Sequence, residues 1–185
     1  MRRIAPFLLL LSLASVGGCS DNNGLPNATL ENVVDTVTIG SLVGTPISTP
    51  SGFFIGGAGV GAVRTDSSVS FEFAYNIEPG GRRVFLPRAA LGLSSTTAEP
   101  GVQLRPETFD EITKARSNGY VTDSAVAVEL GQRFLVRSRV ICTTLGVPLY
   151  AKIEILQFAD STVTFQVLAD RNCGYKGLEP GLPTE

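Results

Sequence analysis

Residues 133–170 read RFLVRSRVICTTLGVPLYAKIEILQFADSTVTFQVLAD, and they alternate with a period of two. Phe134, Val136, Val140 and Cys142 fall on one face with Ser138, while Arg133, Arg137 and Arg139 fall on the other with Leu135 and Ile141. Ala151, Ile153 and Ile155 then oppose Lys152, Glu154 and Leu156. Val163, Phe165, Val167 and Ala169 oppose Thr162, Thr164, Gln166 and Leu168. Successive side chains of a strand point to opposite faces, so this pattern predicts strands with one face in a core. The short ADS stretch at 159–161 predicts a hairpin between the last two.

Working outward, Val33–Gly40 alternates in the same way, and so does 69–77, where Val69, Phe71, Phe73, Tyr75 and Ile77 share a face. EPGGRR at 78–83 supplies a turn, and 84–86 a return strand ended by Pro87. One stretch favours a helix. Thr108-Phe109-Asp110-Glu111 is a capping box, Phe109 and Ile112 have helical spacing, and Asn118-Gly119 offers a stop. Residues 92–107 and 174–185 are rich in Gly, Pro, Ser and Thr and predict a loop and a tail. The class is mainly β: an antiparallel β-sandwich or open two-layer β fold with one short helix.

The N-terminus belongs to export rather than to the fold. Arg2 and Arg3 precede a 13-residue apolar run from Ile4 to Val16, which is shorter than the roughly 20 residues that a membrane helix needs. Val16-Gly17-Gly18-Cys19 resembles the lipobox of bacterial lipoproteins. That resemblance implies a signal peptide at 1–18, an acylated Cys19 and a lipid anchor in the membrane; Ser20 in place of Asp implies sorting to the outer membrane. Residues 19–30 are expected to form a lipidated tether, and 31–185 a single β-rich domain. Without Arg2 and Arg3, 13 basic residues face 17 acidic ones, so no charge excess steers the chain to nucleic acid.

Of three cysteines, the anchor takes one. Cys142 and Cys173 remain, and a pair in an oxidising compartment predicts a disulfide. If the strands formed a plain meander, Cys142 and the strand leading to Cys173 would flank a middle strand on opposite sides. Two strand spacings are about 9–10 Å, beyond the ~7 Å that a disulfide tolerates. Cys173 is therefore expected past the strand end, clasping the tail to the 133–142 strand.

The chain has no histidine, and its one methionine is Met1. This removes Ser-His-Asp and Cys-His catalysis and His-held zinc or haem. No catalytic residue and no metal site is assigned, no cofactor is expected, and the chain is expected not to be an enzyme. A carboxylate-only hydrolase needs just two acidic groups and stays as an alternative. GGAGVGA at 56–62 fits a dinucleotide fingerprint through Gly57, Gly59 and Ala62. However, a polar stretch and a strand follow it, where the fingerprint needs a helix. It predicts a flexible or closely packed glycine loop.

Three stretches together resemble the HmuY family of haem-binding bacterial surface lipoproteins. SFEFAYNI (70–77) is similar to a family strand, TFDEITKARSNGYVTD (108–123) to a short F-D-x-I segment with its Y-x-x-D, and YAKIEILQF with VTFQV (150–167) to the closing hairpin. The resemblance implies a β-rich lipoprotein at the outer membrane. It does not carry the family's paired histidine or methionine ligands, which this mature chain lacks. Tyr75, Tyr120, Tyr150 and Tyr175 remain as conceivable haem ligands. Candidates for an unknown ligand are Tyr75, Tyr120, Tyr150, Arg137 and Arg139, the arginines standing otherwise on a solvated sheet face. The favoured function is a lipid-anchored, non-catalytic binding or structural domain, with haem or porphyrin binding through atypical ligands as the alternative.

Overall fold

The computed structural model describes residues 24–94 and 98–184; the expected signal peptide at 1–18 and Cys19 lie outside the described residues. Ten strands follow one another: β1 (Val34–Gly40), β2 (Gly52–Gly56), β3 (Gly59–Val63), β4 (Phe73–Ile77), β5 (Arg83–Pro87), β6 (Gly101–Arg105), β7 (Val126–Ala127), β8 (Arg133–Cys142), β9 (Val147–Ala159) and β10 (Thr162–Asp170). They make two antiparallel five-stranded sheets, ordered β1-β10-β9-β8-β6 and β3-β2-β4-β5-β7. The β8–β9–β10 meander anticipated from the 133–170 alternation is the centre of the first sheet.

The sheets face each other through aromatic rings. Phe134 and Phe165 come from the first sheet, and Phe53, Phe73 and Phe85 from the second; all five are fully buried. Ring centroids stand 4.2 Å apart for Phe73–Phe85, 5.3 Å for Phe53–Phe165 and 5.7 Å for Phe85–Phe134. Such pairs add about 0.5–1.5 kcal/mol each beyond their burial. Val37 and Ile39 of β1, and Ile153, Ile155, Val163 and Val167 of the meander, complete the core.

Several segments depart from the sequence reading. The glycine stretch is a β-hairpin, with Gly56 opposite Gly59 and Phe54 opposite Gly61. The Phe54 ring lies across Gly61, where an added Cβ would sit 3.1 Å from it. The aromatic thus covers the glycine, and the loop expected here is ladder. Residues 92–107 contain β6, paired with β8 from Gly101↔Arg137 to Arg105↔Arg133. The strand expected from residue 69 begins at Phe73, with Val69 exposed and Glu72 wholly buried.

The helix expected at 108–118 does not form. Its capping box does: Thr108 N and Oγ1 donate to Glu111 Oε2 at 2.9 and 2.8 Å, and Ile112 N donates to Thr108 O at 3.3 Å. The turn then stops, because the next backbone groups pair with the C-terminal tail. Ala115 N donates to Lys176 O at 2.9 Å, and Leu178 N donates to Thr113 O at 2.7 Å. A helix this short is marginal without packing, and tertiary backbone partners replace it. The helical turn among the described residues is a 3-10 turn at Arg88–Leu91.

The tail has little regular structure but is tied down throughout. Asn32 and Gly181 exchange backbone hydrogen bonds at 2.8 and 3.0 Å. The Asn172 side chain accepts from Thr29 N and Leu30 N and donates to Leu30 O. Tyr175 Oη donates to Pro26 O at 3.0 Å. The expected tether through residue 30 is therefore shortened: from about Leu25 the chain lies against the domain.

Candidate functional site

Cys142 and Cys173 form the expected disulfide, with Cα atoms 5.6 Å apart. Cys142 ends β8 opposite Val147, and sheet order explains why Cys173 lies outside the ladder. β8 and β10 flank β9 on opposite sides, and β10 ends at Asp170 opposite Tyr150. Three further residues bring Cys173 back over the start of β9. Gly174, with φ of +91°, makes the return; a Cβ there would also lie 2.5 Å from Leu25 Cδ2. Only glycine meets both conditions without strain.

A second apolar cluster forms outside the sandwich, on the outer face of β8, β9 and β10. Phe109, Ile112 and Ala115 pack there with Leu135, Tyr150, Leu168 and Leu178, and Tyr120 flanks them. The face expected to be solvated is covered by the 106–122 segment and by the tail. Lys152 is buried as a result. Its Nζ donates to Phe109 O at 2.7 Å and Ile112 O at 3.0 Å and lies 4.5 Å from the Phe109 ring centroid. Burial lowers its pKa, while Asp110 and Glu179 oppose that.

Three of the five candidate ligand residues meet at the edge of this cluster. The Arg137 guanidinium lies 4.9 Å from the Tyr120 ring centroid, and the Tyr120 and Tyr150 rings are 6.3 Å apart. Lys176 Nζ stands 5.8 Å over Tyr150. Arg137 is not a free cation: its guanidinium donates to Glu99 O and to Ser117 O. Burial raises the hydroxyl pKa of Tyr120 and of Tyr150, with Arg137 opposing in both. That disfavours the tyrosinate form that a haem iron would take.

The other two candidates lie elsewhere. Tyr75 is fully buried between the sheets, and burial raises its hydroxyl pKa while nearby Arg83 lowers it. Arg139 is turned away from Arg137 by an irregularity in the β8–β9 register between Arg137 and Val140. There Ser138 fills the gap in the ladder: its Oγ accepts from Leu149 N at 2.8 Å and donates to Arg139 O. Arg139 then reaches Glu72, N to Oε2 at 2.9 Å and Nη1 to Oε1 at 2.7 Å. Glu72 also accepts from Ile55 N at 3.2 Å. This pair joins the two sheets, and the expected common solvated face for Arg133, Arg137 and Arg139 is corrected accordingly. Desolvation pushes the Glu72 carboxyl up to about 7 against the pull of Arg139.

Sequence reasoning missed the buried charges Glu72, Lys152 and Asp170. The strand pattern gave no signal, since all three occupy positions that alternation assigns to solvent or to a strand end. Asp170 Oδ1 accepts from Asn172 N and Nδ2, and burial raises its pKa. Among the described residues no group of three or more His, Cys, Asp or Glu is placed to hold a metal ion.

A groove of about 330 Å³ is lined by Leu25, Leu145, Val147, Pro148, Tyr150, Gly174 and Lys176. A polar cavity of about 390 Å³ beside the glycine hairpin includes Asp35 and Arg171. Asp35, Glu179 and Glu129 each line a separate cavity as its one carboxylate, and the groove holds none. No family model matches the chain, and neither the curated proteins nor the solved structures include a match to it.

Proposed function

We propose that the chain is an outer-membrane-anchored bacterial lipoprotein whose β-sandwich serves binding or structure rather than catalysis. The observation that carries the non-catalytic part is the fate of the buried charges. Glu72 is engaged by Arg139 and two amides, Lys152 by two carbonyls, and Asp170 by Asn172. Glu72 joins sheet to sheet, Lys152 joins β9 to the covering segment, and all three side chains are buried, which leaves them no open face toward a substrate. Asp35, Glu179 and Glu129 each stand alone as the carboxylate of the cavity they line, which argues against a two-carboxylate hydrolase at those cavities.

The anchor part rests on the lipobox at Val16–Cys19 and on its placement, six positions before the docked Leu25. Kinship with the HmuY family is likewise a proposal; the mainly β fold and the closing hairpin at 147–170 support it. The haem-binding alternative draws on the meeting of Tyr120 with Tyr150 and is opposed by the raised pKa of both hydroxyls.

Two experiments test the proposal. Whole-protein mass and membrane fractionation of the wild type and of Cys19→Ala should show an acyl mass and membrane retention lost together in the variant. A variant that stays membrane-bound with unchanged mass refutes the anchor. Haemin titration of the soluble chain from Ser20 should give no saturable Soret shift; a saturable shift establishes the alternative.

A further inference from the structure

We infer that the disulfide end of the sandwich rests on the lipid surface, with the 143–146 turn and the groove beside it as the contact. This rests on the proposed acylation of Cys19. Strand directions place the relevant parts at one end. β1 begins there and β10 ends there, because Val34 pairs with Leu168, and the β8–β9 turn lies there because β9 begins at Val147. At the opposite end Gly40 pairs with Thr162, beside the 160–161 turn and the 41–49 loop.

Chain length then decides which end meets the membrane. Six residue steps separate Cys19 from Leu25. Fully extended they span about 20 Å. The sandwich is longer than that: the 13 residues of β9 extend over roughly 40 Å at strand rise. The far end carries the more exposed apolar residues, Val43 at 69% and Ile47 at 75%. The tether nevertheless keeps that end away from lipid unless the domain lies flat. The near end offers Leu145, 41% exposed at a turn tip, next to the groove that Leu25, Val147 and Pro148 line. Lys176, bonded to Ser117 Oγ at 2.7 Å, puts a cation at the groove rim, where a headgroup phosphate would lie. With acidic residues in excess, the contact is apolar with one local cation rather than a broad electrostatic one.

The absence of tryptophan from the sequence makes the test direct. Leu145→Trp and Ile47→Trp are each made in the full chain, lipidated in the producing cell, and reconstituted in phosphatidylethanolamine–phosphatidylglycerol vesicles containing brominated phosphatidylcholine. Trp emission from the Leu145 variant should be blue-shifted and quenched at least about twofold more than that from the Ile47 variant. Equal quenching at both positions, or stronger quenching at position 47, overturns the inference. So does a blue shift that brominated lipid does not quench, which would place the anchor's own acyl chain in the groove. Mass and vesicle flotation identify a failed anchor separately: unacylated protein that does not float defeats the anchor reading and this inference with it. Hydrogen exchange adds a readout free of substitution in the domain. Amides at 143–149 should exchange more slowly in vesicle-bound wild type than in Cys19→Ala, and equal rates overturn the contact.

Discussion

Glu72 makes the stability of this domain depend on pH in a direction opposite to that of most carboxylates. Its carboxyl is wholly buried and stands at about 7, because desolvation outweighs Arg139 and the two amide donors. In the unfolded chain it returns to 4.5. Between these values the folded state binds more protons than the unfolded state, so stability falls as pH rises. The contribution is complete below pH 4.5, declines toward pH 7 and is flat above. A difference of that size corresponds to about 3 kcal/mol over the window. The chain has no histidine, so no imidazole titrates in the same range. Asp170 contributes with the same sign, since its pKa is also raised. Urea unfolding of the soluble chain from Ser20, followed by far-ultraviolet circular dichroism at pH 4.5 to 8, should show this fall. Glu72→Gln should flatten most of it, and Asp170→Asn should flatten the remainder. A wild-type stability that rises between pH 5 and 7, or a fall that survives intact in Glu72→Gln, refutes the reasoning.

Three further outcomes follow from the same geometry. Replacing both Cys142 and Cys173 by serine opens a loop of sequence separation 31, and calorimetry should record a loss of about 3.5–4 kcal/mol by chain entropy. A smaller loss, with rapid exchange confined to residues 172–184, would mean that the tail detaches locally. Lys152→Met leaves the carbonyls of Phe109 and Ile112 without their shared donor; at about 1–3 kcal/mol per orphaned group, the variant should lose several kcal/mol in urea unfolding, and an unchanged midpoint would contradict the role given to Nζ. Gly101→Ala would place a Cβ 2.7 Å from Val121 O, across the Val102–Val121 bridge. The backbone must shift there, so about 1–3 kcal/mol should be lost, read as a lowered Tm.

The sequence was most informative where one physical rule acted alone. Period-two alternation located β8, β9, β10 and β1, because burying one face of a sheet requires it, and the EPGGRR turn with Pro87 located β5. Cysteine number and the strand-spacing limit together placed Cys173 beyond its strand, as the 5.6 Å Cα separation bears out. Where two rules competed, the sequence left the outcome open. The capping box at Thr108 formed its local hydrogen bonds, but the tail supplied β-type partners to Thr113 and Ala115, and the helix was lost. Gly57, Gly59 and Gly61 looked like a loop until Phe54 and the hairpin register used them.

By itself, then, the sequence determined the mainly β class, the central meander and the cysteine pairing, all consequences of local periodicity or of distance limits along the chain. Tertiary structure decided the placement of the charges. Alternation assigns Lys152 and Arg139 to solvent, but it does not register that residues 106–122 and the tail cover one outer face, or that a register irregularity turns Arg139 onto Glu72. Burial of a charge depends on segments distant in sequence, and only the folded chain brings those segments together.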